Sequence, residues 1–205
     1  HYRLTTHLGM AFLLFVALLW TGLTHLRKER GASFKKEGRR AVALIGLIFL
    51  TILSGGLMAG LSAGHQYNTF PLMNGQVIPA GLFVKTPWWL NFLENPLTIQ
   101  FSHRMLAMGT AALVVAFWYQ TRKLSLSSTG QKARNSILFA ILLQVSLGIS
   151  TLLSVVWVPL AAAHQAGGVV LISAMTWFCH ELWRPGVAQR KTEDNPRSVI
   201  GDGRA

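Results

Sequence analysis

Two histidines lie where histidine is costly. "IQFSHRMLAMG" (99–109) puts His103 and Arg104 inside an otherwise apolar run, and "VPLAAAHQAGGVVL" (158–171) does the same with His164. Ionisable groups at such positions face a partner, a cavity or a cofactor, because lipid solvates them badly. Their helical neighbours are small. Ala107 and Thr110 lie at i+4 and i+7 from His103, with Ala111 next, while Gly167 and Gly168 lie at i+3 and i+4 from His164, with Ala161 a turn back. A bare zinc site needs further N, S or O ligands. The one acid within these runs is Glu181, at the far end of the last, and the one cysteine is Cys179, which reads as a small buried hydrophobe. Small side chains flanking an imidazole leave room for a flat macrocycle, so the spacing supports axial ligation of a haem iron by His103 and His164. There is no Cys-x-x-Cys-His attachment motif, so the haem would be held non-covalently, as in a b-type cytochrome. The competing reading is two histidines hydrogen-bonded across a bundle. Arg104 has two readings that stay open, snorkelling to the outer surface or pairing with a haem propionate.

The elements that position these groups are membrane spans. The 205 residues are 51% apolar and 13% charged, with a mean hydropathy of +0.40, too apolar for an ordinary soluble domain. Five stretches are long enough to cross a bilayer: about 6–25, 40–62, 97–119, 135–156 and 160–182. The fold expected is an all-α transmembrane bundle of five spans. Pro96 and Pro159 stand at the starts of the third and fifth, where proline is tolerated. "SGGLMAG" in the second would let another backbone approach closely. His103 then lies about 10 Å and His164 about 7 Å into their spans, at matched depth.

The net charge of +12 raises nucleic acid as a partner, and the placement of the charges excludes it. Sixteen of the nineteen Lys and Arg fall in three segments: seven in "RKERGASFKKEGRR", four between the third and fourth spans, and five after Trp183. Five spans put all three on one side, satisfying the positive-inside rule. The opposite connection, "TPWWLNFLENP" included, carries only Lys85 and Glu94, and Trp88, Trp89 and Phe92 read as an outer interfacial belt. The segment 184–205 is polar and reads as disordered. His25 and His180 lie at inner helix ends, and His1 and His65 in outer, wet segments. The chain opens on His1 with no visible presequence, and is expected to be processed or incomplete there.

"THLGMAFLLFVALLW" (6–20) and "AHQAGGVVLISAMTW" (163–177) each carry a histidine in the first turn and a tryptophan thirteen residues later. The first and fifth spans read as copies of one helix, implying a four-helix repeat. On this reading 1–39 is the last helix of an incomplete first repeat with its basic loop, and 40–183 is the second repeat, the haem domain.

"YRLTTHLGMA", "AGLSAGHQYNTFPLMNGQVIP", "LENPLTIQFSHRMLAM" and "VPLAAAHQAGGVVL" resemble the second half of the heme A synthase family, over residues 2–183. The Tyr-Asn-x-Phe-Pro segment, the His-Arg pair and the His-Gln pair together make the resemblance specific. It implies an eight-helix bundle of two repeats, haem b held by His103 and His164, and a substrate-haem pocket to which His7 contributes an iron ligand. It implies oxidation of the C8 methyl of haem O to a formyl, by successive hydroxylations and loss of water, giving haem A for cytochrome oxidase. Arg104, Ala107, Gly167 and Gly168 are the expected haem contacts. Expected partners are the lipid bilayer, haem O, a ferredoxin-type donor at the basic face, haem O synthase or oxidase assembly factors, and a second copy of the chain. The expected location is the mitochondrial inner membrane, basic loops and tail in the matrix, or alternatively a bacterial plasma membrane. The chain departs from the family at Ser62 and Ser102, where Asp is usual; at 102 this weakens a group placed to tune the ligand. A b-type cytochrome subunit acting only as anchor and electron relay is the alternative function.

Overall fold

Long apolar runs bounded by capping residues dictate helices here. The structure, a computed structural model, describes residues 1–26 and 33–183. The expected disordered tail at 184–205 and the middle of the first basic loop lie outside the described residues. Five long helices form: α1 (Tyr2–Leu26), α2 (Lys35–Gly60), α4 (Pro96–Thr121), α5 (Ser128–Leu153) and α6 (Val158–Trp183), with a short α3 (Asn91–Glu94) in the long outer connection. Each long helix has 25 or 26 residues. That is about 38 Å at 1.5 Å per residue, more than the roughly 30 Å hydrocarbon core. All five are apolar enough to span a membrane.

The ends follow local chemistry. Asn95 caps α4, its side chain accepting from the N–H groups of Leu97 and Thr98, and Pro96 takes the first helical position. Ser127 caps α5 by accepting from Gly130 N–H at 3.1 Å. The fourth helix therefore starts seven residues before its apolar run, because "STGQKARN" is helical but polar. It also stops earlier, at Leu153, because Val155 and Val156 turn the chain with φ of 56° and 59°. Pro159 lies one residue inside α6 rather than ahead of it.

Packing closes a ring. α2 lies against α4 and α6, and α5 against α4 and, most extensively, α6; α1 lies outside the ring against α2 and α6. Gly9 of α1 packs on Leu53 and Phe49 of α2, and Gly56 of α2 on Leu8 and Thr5 of α1, so the small residues do admit a close neighbour. The large buried side chains cluster in the inner half, toward the basic loops: Ile48, Val114, Phe117, Ile137, Ile172, Met175 and Phe178. Phe117 and Phe178 meet with ring centroids 5.7 Å apart. Cys179 is fully buried beside Gly38. At this end Phe34 N–H donates to the Leu182 carbonyl, tying α2 to α6.

The outer connection, residues 61–95, is held by buried amides. Asn91 pairs with both backbone groups of Lys85, and Asn95 donates to the carbonyls of Gly81 and Leu82. The Thr98 hydroxyl donates to the same Leu82 carbonyl. Trp88, Trp89 and Phe92 are exposed there, with Trp88 edge-on to Phe92. Between this cap and the inner core lies a layer of mostly partly buried residues, where α2 and α5 end and α4 and α6 begin.

Candidate functional site

That intermediate layer holds both intramembrane histidines of the ring. His103 is seven residues into α4 and His164 six into α6. Each ring rests on a glycine of a neighbouring helix. A Cβ at Gly55 of α2 would stand 3.3 Å from His103 Cε1, and one at Gly148 of α5 would stand 2.9 Å from His164 Cε1. A side chain at either position would compete with the ring for its place.

The rings differ in their polar partners. His103 Nδ1 lies 2.7 Å from the Ser54 hydroxyl. His164 lies against the backbone of Gln144 on α5, whose side-chain Oε1 is buried with no hydrogen bond. The Gln144 side chain lies against Gly167, and Gly168 lies near Gln144 and Ile52. Thr110, on the His103 face, meets Thr51 hydroxyl to hydroxyl at 3.0 Å, closing α4 onto α2 just inside the histidines. Ala107 is partly buried one turn from His103.

Arg104 points into the outer connection. Its two terminal nitrogens donate to the carbonyls of Tyr67 (2.6 Å) and Thr69 (2.8 Å), and Gln100 donates to the same Tyr67 carbonyl at 2.9 Å. The residue is 8% exposed, and its guanidinium is bound beneath the loop. His7 is apart from the pair. It is exposed on α1 and lines a groove of about 460 Å³ with Tyr2, Arg3, Thr6 and Met10. His180, at the inner end, sits edge-on to Trp20 and 3.3 Å from the Thr24 hydroxyl. Ser62 occupies the left-handed region at φ 53°, where Asp or Asn is better tolerated than Ser; Ser102 is partly buried beside His103.

The donor set fits a haem better than a bare ion. Among the described residues no three His, Cys, Asp or Glu side chains gather to hold a metal. Two imidazoles suffice as protein ligands only where a macrocycle supplies the rest. The glycine-backed rings and the unpaired buried Oε1 of Gln144 lie in the same layer. Sequence reasoning missed Ser54, Gly55, Gly148 and Gln144. Gln144 was findable as a lone amide in "FAILLQVSLG", and Ser54-Gly55 as the first half of "SGG".

Fold and site together define an all-helical, multi-pass class of protein, with one partly buried histidine on each of two helices, α4 and α6, of a four-helix ring. The chain belongs to the COX15-CtaA family, described as cytochrome oxidase assembly protein, whose profile matches residues 1–176. It is 46% identical over 188 residues to the heme A synthase of Nitrosospira multiformis, covering 89% of this chain and 52% of that protein. It is 46% identical to that of Nitrosomonas eutropha, over 88% of this chain and 52% of that one. With heme A synthase COX15 of Homo sapiens the identity is 40%, covering 89% and 46%. The chain thus spans about half the length of the curated relatives it matches. No solved structure matches it.

Proposed function

We propose that this chain is the haem b half of a heme A synthase, an oxidoreductase that converts the C8 methyl of haem O to the formyl of haem A for cytochrome oxidase. The observation that supports the reading is the placement of His103 and His164 at similar depth in α4 and α6, each ring seated on a glycine of the next helix. The relatives' shared name, heme A synthase, supports haem A as the product, and the oxidation of haem O rests on the family resemblance.

His103 and His164 would hold the iron, and Ala107, Gly167 and Gly168 would keep the surrounding helix faces low. Haem b, when bound, would supply one-electron transfer. Arg104 and Gln100 hold the outer connection over the pair, limiting water and fixing the entrance. His7, in its groove on the outward face of α1, is the ligand to the substrate haem. The exposed apolar face of α1, Met10, Leu13, Leu14 and Leu18, fits the four-helix repeat in which 1–39 closes one repeat and 40–183 forms the next. The basic ends face the matrix of mitochondria or the cytoplasm of a bacterium. There the lysines and arginines suit an acidic reductant such as a ferredoxin.

Pyridine-haemochrome analysis of membranes making haem O tests the reading. Haem A appearing when this chain is expressed with the remaining half of a relative, and vanishing in His7→Ala, is the expected result. Bound haem b without haem A in that setting would favour the relay subunit. A preparation with no haem at all would end both.

A further inference from the structure

Resting on that reading, the hydroxyl of Ser54 takes on a role toward His103. Ser54 Oγ lies 2.7 Å from the Thr51 carbonyl and 2.7 Å from His103 Nδ1. A hydroxyl has one proton. Two oxygens at 2.7 Å with no proton between them repel, so the proton lies on the line to the carbonyl, as in the common back-bond of a helical serine. Ser54 is then an acceptor toward the imidazole, and Nδ1 must carry the hydrogen. The lone pair of His103 is thereby on Nε2. Gly55 makes this reachable, because the ring rests where its side chain would stand. The counterpart on α5 lacks the hydroxyl: Leu147 and Gly148 occupy the corresponding positions, and His164 lies against the Gln144 backbone instead.

We infer that Ser54 is a positioning residue that holds His103 in the Nδ1–H tautomer, presents Nε2 as the iron ligand, and makes the two axial histidines electronically unequal. A hydrogen bond accepted from Nδ1–H makes an imidazole a stronger donor and favours the ferric state. Its loss should therefore raise the haem b midpoint potential.

The test is a redox titration of the haem b band in the purified full chain. It compares wild type, Ser54→Ala, Ser54→Thr and Ser146→Ala. Ser146 is the control, an exposed serine of α5 that makes the same back-bond, to Leu142, with no histidine beside it. The expected result is a raised midpoint in Ser54→Ala and wild-type values in Ser54→Thr and Ser146→Ala. An unchanged midpoint in Ser54→Ala, or an equal shift in Ser54→Thr, overturns the inference. If Ser54→Ala accumulates without haem, Ser54→Thr decides: loaded at the wild-type potential it supports the role, and haem-free or shifted it refutes it. Haem missing from wild type, or kept by His103→Ala, would instead refute the underlying site.

Discussion

At the scale of single residues, an imidazole in the bilayer is expensive until its polar atoms find a partner, and in the proposed function His103 and His164 meet that cost jointly on one iron. Either one alone would be a poor grip on it. His103→Ala and His164→Ala should each lower bound haem b per chain by about tenfold or more, read from the reduced-minus-oxidised spectrum. Arg104 has a different task. Removing its side chain leaves the Thr69 carbonyl without its donor and the Tyr67 carbonyl held by Gln100 alone, at a cost of about 1–3 kcal/mol for each lost bond that is buried. Arg104→Ala should therefore make the 61–95 connection open to protease in detergent, while the spans stay intact; unchanged cleavage would contradict this role. The histidines and their small neighbours were legible because polar residues in apolar runs stand out. The use of Arg104 was not, since its acceptors are backbone carbonyls some 35 residues away in sequence, and carbonyls leave no mark in a sequence. Ser54 escaped for a related reason: a helical serine satisfied by its own backbone looks the same whether or not a ring sits beside it.

At the scale of elements, glycines and turns decide how closely the helices deliver their side chains. Gly148 leaves less room than Gly55, since a Cβ there would stand 2.9 Å rather than 3.3 Å from the facing imidazole. Gly148→Ala should reduce haem b content more than Gly55→Ala, and the reverse order would contradict this packing. The α5–α6 turn carries two β-branched residues in the left-handed region, which costs roughly 1–2 kcal/mol each. Val155 is 57% exposed, so Val155→Asn should recover about 1 kcal/mol, seen as a raised thermal midpoint in detergent. Val156 packs toward Gly64 beneath the outer connection, and its replacement should gain less. Five spans and their order followed from hydropathy and proline. The true ends of α5 did not, because hydropathy sees neither a polar first turn capped by Ser127 nor a valine held at positive φ.

At the scale of the whole molecule, the bundle is stratified along the membrane normal. Large apolar side chains fill the half nearest the basic loops, amide-held loop structure caps the other end, and the histidine pair sits between. The inner core holds the helices in register, which leaves the outer layer free to be built from glycine, alanine and imidazole. The cations of the inner face, among them Lys35, Lys36, Arg39, Arg40, Arg122 and Lys132, set a further expectation. Reduction of haem b by an acidic ferredoxin should slow as ionic strength rises from about 0.05 to 0.5 M, and a flat stopped-flow rate would remove that partner. The proposed function depends on one arrangement, two imidazoles holding a single porphyrin iron. Electron paramagnetic resonance of the oxidised, purified chain tests it most directly. The expected spectrum is a low-spin signal of two imidazole ligands in wild type, lost in both His103→Ala and His164→Ala; the same signal surviving in either variant would contradict it.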